Sequence, residues 1–186
     1  MSMTNVPLFA AGAVLTAFNE TVASVELTWD PAFVSPLVTA YRIYNGDQCI
    51  DTVTSERVYD STTGFYSYKV SGLLPGTSYI FRIQAGDMAG NWTTNGPSVT
   101  AKTLADTTPP VIEGAATTLP NAKGWYNSDV IVRFTAADDG SGIASVTPDT
   151  TISTEGVSQS VEGTAMDKSG NTASVTVLGL YEARVS

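Results

Sequence analysis

Apolar residues along the first hundred positions recur at every second place rather than every third or fourth, the signature of strands with one buried face. Val25, Leu27 and Trp29 alternate with Glu26 and Thr28, and Tyr41 and Ile43 flank Arg42. Tyr66, Tyr68 and Val70 lead into the turn SGLLPG. Pro75 presets φ there, and Gly76 tolerates a positive φ. Tyr79, Phe81, Ile83 and Ala85 follow, then GDMAGN, whose Gly and Asn residues suit a tight hairpin, and Val99 and Ala101 supply a last strand. With Val6 to Phe18 taken as a lead-in plus a first strand, about seven strands are expected, enough for a β-sandwich.

The stretch LADTTPPVIEG breaks this rhythm. Pro109 and Pro110 cannot donate ladder hydrogen bonds and bias Thr108 towards extended geometry. The chain is therefore divided into modules 1–104 and 105–186, with an extended junction expected to hold them end to end. In the second module Val130, Val132, Phe134 and Ala136 alternate with Ile131, Arg133 and Thr135. Ile143 and Val146 follow the turn DDGSG, and Val161, Gly163 and Ala165 are joined through DKSGN to Ala173, Val175 and Val177. AGDMAGN and AMDKSGN share the frame A-x-D-x-x-G-N before the last strand of each module. The fold class is all-β, two tandem immunoglobulin-like sandwiches. The second core is poorer in aromatics and is expected to be the less stable.

Composition narrows the function. The net charge of −9 is spread as 5 basic and 8 acidic residues in 1–104 and 4 basic and 10 acidic in 105–186. No Lys/Arg cluster offers a phosphate-binding face, so nucleic acid is not expected as a partner. Cys49 is the single cysteine, which excludes an intramolecular disulfide. Histidine is absent, which removes Ser-His-Asp and Cys-His machinery and histidine metal sites. The apolar run VPLFAAGAVLTAF is shorter than a membrane span, and the MSMTN before it lacks the basic residues of a signal peptide. Membrane insertion, a cofactor and catalysis by this protein are not expected.

Over residues 10–104 the sequence resembles a fibronectin type III domain. The resemblance rests on VELTWD, VTAYRIYNG and above all LLPGTSYIFRIQAGDMAGN. It implies that Trp29 is the buried core tryptophan and that Tyr79 is the tyrosine corner, buried, with its hydroxyl bonded to backbone between Ser71 and Gly76. Residues 107–178 resemble a bacterial Ig-like repeat of secreted and cell-surface proteins, through GWYNSDVIVRF, DDGSGIASVTPDTT, STEG and GTAMDKSGNTASVTV. Many relatives carry cysteines where this protein has Ala136 and Val146. The resemblance thus implies that these two face each other in the core, with apolar packing in place of the cross-link. GLYEARVS shows no start of a further Asp-Thr-Thr-Pro-Pro linker, and the string is expected to end or be cut there.

Three aromatics at loop or strand ends, Trp92, Trp125 and Tyr126, offer apolar faces that could stack on sugar rings, or could pack over the sandwich ends. Asp138, Asp139 and Ser141 place oxygens on one turn as a calcium site would, but without the spacing of an EF-hand loop. They and Asp87 and Asp167 are read as stabilisers of their own turns, with no metal expected. Asn19 and Asn91 head glycosylation sequons, which the bacterial origin implied by the resemblance would leave without consequence. The expected role is a non-catalytic spacer or adhesion segment, extracellular or at the cell surface, monomeric within a larger parent protein. Polysaccharide or another cell-surface protein is its expected partner. The alternative is a carbohydrate-binding accessory module of a secreted glycoside hydrolase or other polysaccharide-degrading enzyme.

Overall fold

Alternation becomes antiparallel sheet throughout the computed structural model, which describes residues 6–33 and 37–182. The opening MSMTN and the last four residues of GLYEARVS lie outside these. The protein divides into two units, Met1–Ala105 and Asp106–Ser186.

In the first unit the strands are β1 (Leu8–Phe9), β2 (Leu15–Phe18), β3 (Ser24–Trp29), β4 (Ala32–Phe33), β5 (Val38–Asn45), β6 (Gln48–Thr54), β7 (Tyr66–Ser71), β8 (Ser78–Asp87) and β9 (Ser98–Lys102). They form a three-stranded sheet β2-β3-β7, a four-stranded sheet β6-β5-β8-β9 and a small β1-β4 ribbon. A single helical turn, α1 (Ser55–Val58), follows β6 and buries Val58. The inward residues of the alternating runs make the core: Val25, Leu27 and Trp29 from one sheet face Tyr41, Ile43, Phe81 and Ile83 from the other. Tyr41 meets the Trp29 ring edge-on at 5.3 Å, and burial pushes its phenol well above the ordinary range. The Trp29 indole N–H, deep in this core, has no hydrogen-bond partner among the described residues.

The turn before β8 is held from several sides. Tyr79 Oη accepts the Leu74 N–H at 2.8 Å, within the 71–76 segment where a partner was expected. Its ring stacks on Phe81 at 6.0 Å and is half-buried rather than buried, because it stands at the start of β8 beside the exposed turn. Thr103 Oγ1 donates to Leu74 O at 2.6 Å and accepts from Thr77 N at 2.9 Å. Gly76 N donates to Leu104 O, and its φ of +60° is the left-handed geometry that the Pro-Gly pair anticipates.

The second unit contains β10 (Val111–Ala116), β11 (Val130–Ala137), β12 (Ile143–Val146), β13 (Thr150–Ile152), β14 (Gly156–Asp167) and β15 (Thr172–Glu182). Two three-stranded sheets, β10-β11-β13 and β12-β14-β15, enclose Tyr126, Val130, Val132, Phe134, Ile152 and Leu180. A Cβ on Gly114 or Gly163 would run into the Phe134 ring, so two glycines make room for the largest side chain of the inner β11 face.

The core burial expected of Ala136 and Val146 is not met. Ala136, on β11, is half-buried across from Ile112. Val146, opposite Ala165, is 36% exposed because β12 is a four-residue edge strand.

Candidate functional site

The shared A-x-D-x-x-G-N frame folds into the same bracket twice. Asp87 Oδ1 accepts the Ala89 and Asn91 N–H groups at 2.9 and 2.8 Å, and Asn91 Nδ2 donates to Asp87 Oδ2 at 2.9 Å. Asp167 Oδ1 accepts Ser169 N and Asn171 N at 2.8 and 2.9 Å, and Asn171 Nδ2 donates to Asp167 Oδ2 at 2.7 Å. In both turns the glycine adopts positive φ, +84° at Gly90 and +91° at Gly170. Both aspartates sit on turns as expected, but they are buried rather than solvated. Hydrogen bonds from Asn91, its side chain first, hold the Asp87 carboxyl below the usual range. Because Asn91 Nδ2 is committed to Asp87, the second sequon's amide is an internal donor.

The second unit adds two carboxylates to its bracket. Asp106, Asp138 and Asp167 each bring an oxygen within 4.8 Å of the others, and Asp106 and Asp167 are buried. Asp106 Oδ1 accepts Thr108 N at 3.1 Å, and its Oδ2 accepts Ser141 N at 2.8 Å. Bonds from Ser141 are the main reason its carboxyl lies below the usual range. Asp138 Oδ1 accepts Gly142 N at 2.7 Å, and Asn171 Nδ2 also reaches Asp106 O at 3.2 Å.

Carboxylate oxygens are what Ca²⁺ takes, in sets of about six to eight. Here Ser141 Oγ already accepts Ser169 N, and the three acids already accept backbone donors. The cluster ties the start of the unit to loops 138–142 and 167–171. Asp138 belongs to it and Asp139 does not. Asp106 was not singled out from the sequence for this cluster, since its partner Ser141 is 35 positions away.

The candidate sugar platforms separate. Trp92 packs on Gly86, where a Cβ would lie 2.8 Å from the ring, and the Arg42 guanidinium sits 3.9 Å from its centroid. The indole is thus occupied by its own unit. Tyr126 is 8% exposed and belongs to the core, which removes it from any platform. Trp125 is half-buried, tilted against Tyr181 at 5.7 Å, and retains some accessible ring surface.

Elsewhere, Tyr68 Oη donates to Asp51 Oδ2 at 2.7 Å. Partial burial and then this acid push its phenol up to about 12. Arg133 pairs with Asp149 at 2.7 Å on an exposed strand face and holds that carboxyl below its usual range. Among the described residues no helix is long and apolar enough to cross a membrane.

Comparison with known proteins fits this geometry. Residues 14–101 match the fibronectin type III domain family. The sequence is 36% identical to Chitinase A1 of Niallia circulans over 96 residues, 52% of this protein and 12% of that one. It is 35% identical to Exoglucanase A of Cellulomonas fimi over 115 residues, 60% of this protein and 11% of that one. The sequence therefore spans only a small part of the length of these relatives. The solved structure FN3tt aligns with 56% of this protein and all of its own length, at 20% identity and a TM-score of 0.41. With its three- and four-stranded sheets, its buried Trp29 and the Tyr79 bond to the preceding turn, the first unit, over residues 14–101, is a fibronectin type III domain.

Proposed function

We propose that the protein is a non-catalytic accessory segment of a larger, extracellular bacterial polysaccharide-degrading enzyme, in which its two sandwiches act as a spacer. The observation that carries this reading is the match of residues 14–101 to the fibronectin type III family, together with similarity to parts of a chitinase and an exoglucanase. The second unit is taken as a bacterial Ig-like repeat on the motifs quoted above. Its two three-stranded sheets support that assignment. Spacing needs stable modules rather than a reactive cleft. The lowered carboxyls of Asp87, Asp106 and Asp149 are each held by hydrogen bonds within the fold, from Asn91, from Ser141 and from Arg133, which supports a structural role for them.

Carbohydrate binding is the competing role, and Trp125 is the residue through which it would act. The test is a pull-down of the purified protein on insoluble chitin and cellulose, with sugar release measured in parallel. The spacer reading expects the protein to stay in the supernatant and to release no sugar. Retention on either polymer, lost on Trp125→Ala, would replace it with the binding reading, and hydrolysis would overturn both.

A further inference from the structure

Two Asn-Gly pairs occur in the sequence, Asn45–Gly46 and Asn95–Gly96, and the fold treats them oppositely. In an Asn-Gly pair the glycine amide nitrogen can attack the asparagine amide carbon, Cγ, with little steric hindrance, provided that nitrogen is free. Asn45 is the last residue of β5, paired with Gln48 on one side and Phe81 on the other, and Gly46 N–H donates to Ile80 O at 2.8 Å. Asn95 is exposed, and among the described residues neither its side chain nor the Gly96 N–H has a hydrogen-bond partner. The pair lines an open surface depression of about 420 Å³ with Leu8, Phe9 and Pro97, so water reaches it.

We infer that Asn95 is a site of spontaneous modification, losing its amide to give aspartate and isoaspartate, while Asn45 is protected. Gly96 N gives up its proton to solvent base and bonds to Asn95 Cγ. The Cγ–Nδ2 bond of Asn95 breaks and ammonia leaves, closing a five-membered imide. Water then opens the imide at either carbonyl, and the isoaspartyl product carries one extra backbone atom between positions 95 and 96. That atom enters a segment tied down at both ends. Thr93 N donates to Ala85 O at 2.9 Å and Thr93 Oγ1 accepts Ala85 N at 3.0 Å, while Pro97 O accepts Ile83 N at 3.1 Å. Between these ties Gly96 lies so close to the Ile83 carbonyl that a Cβ there would collide with it. The lengthened backbone loosens these bonds and the start of β9.

The experiment ages the full-length protein in warm, mildly alkaline buffer and maps peptides by mass, with a parallel sample in denaturant. Asp-Gly pairs such as Asp139–Gly140 isomerise without a mass change, so the gain in mass reports amide loss, which fragmentation of each peptide assigns to Asn45 or Asn95 rather than to Gln48, Gln84 or Asn91. In folded protein the 95 peptide should convert at least about tenfold faster than the 45 peptide, as expected when a hydrogen-bonded amide must first open locally. The gap should close in denaturant, and Asn95→Gln should remove most of the mass gain. Amide exchange at Ile83 and Ala85 should quicken in the aged protein. Equal rates in the folded protein, or a gap that persists in denaturant, would overturn the assignment. Unchanged exchange at Ile83 and Ala85 would overturn its coupling to β8.

Discussion

Replacing Thr103 with valine keeps the shape of a residue that is 2% exposed and deletes only its hydroxyl. Two polar groups then lose their partner: Leu74 C=O, which accepts from Oγ1 at 2.6 Å, and Thr77 N–H, which donates to it at 2.9 Å. An unsatisfied buried group costs about 1–3 kcal/mol. Leu74 is exposed and Thr77 half-buried, so water recovers part of each loss, and Thr103 N still donates to Thr77 O. The net cost should be about 2 kcal/mol, or roughly 10 °C in Tm for a unit of this size.

Tyr79→Phe removes only the acceptor for Leu74 N–H and should cost about 1 kcal/mol. Because both hydroxyls hold Leu74, one at its N–H and one at its C=O, the double variant should lose about 0.5 kcal/mol less than the sum. Urea unfolding followed by tryptophan fluorescence measures all three variants, since Trp29 and Trp92 belong to this unit. A Thr103→Val loss below about 0.5 kcal/mol would show that the remaining bonds hold the turn and would refute the ranking of these hydroxyls.

Gly163→Ala places a methyl group inside the contact radius of the Phe134 ring and should destabilise the second unit by about 1–3 kcal/mol. Adding Phe134→Leu should return part of that loss, and thermal unfolding of the single and double variants checks it. For pH, the carboxyls of Asp87, Asp106 and Asp149 are all held below their unfolded range. A depressed acid stabilises the fold above its unfolded value of about 3.9, and the contribution disappears as pH falls through the lower folded value. Urea midpoints should therefore stay level down to about pH 4.5 and drop below it. A midpoint that rises on further acidification contradicts the argument.

Strands whose inner face is built of large residues were plain in the sequence, because burial imposes period two on them: β3, β5, β8 and β11 lie where Trp29, Tyr41, Phe81 and Val132 alternate with more exposed neighbours. The edges were not. β6 buries only Val53 and so carries no alternation, and the two-residue β1 and β4 are too short for a period. Tyr79 could be matched to its turn because the partner is five residues away. Thr103 and Asp106 meet partners 29 and 35 positions away through one hydroxyl and one carboxylate, and nothing local points to those distant partners, although Asp106 also bonds the nearby Thr108 N. The packing of Trp92 under Arg42 likewise depends on the bare backbone of Gly86, a pairing that only the folded sheet creates.

The Asp-Asn bracket at Asp87–Asn91 and Asp167–Asn171 uses the side chains of its first and last residues and the backbone of those between. The second and third positions, Met88 and Ala89 in one turn and Lys168 and Ser169 in the other, are exposed, and their side chains already differ between the two copies. The turn is therefore a portable part. DMAGN and DKSGN should be exchangeable between the sandwiches, and Met88, 85% exposed on a clamped backbone, is an address at which a label or a short recognition group can be mounted without loosening the hairpin beneath it.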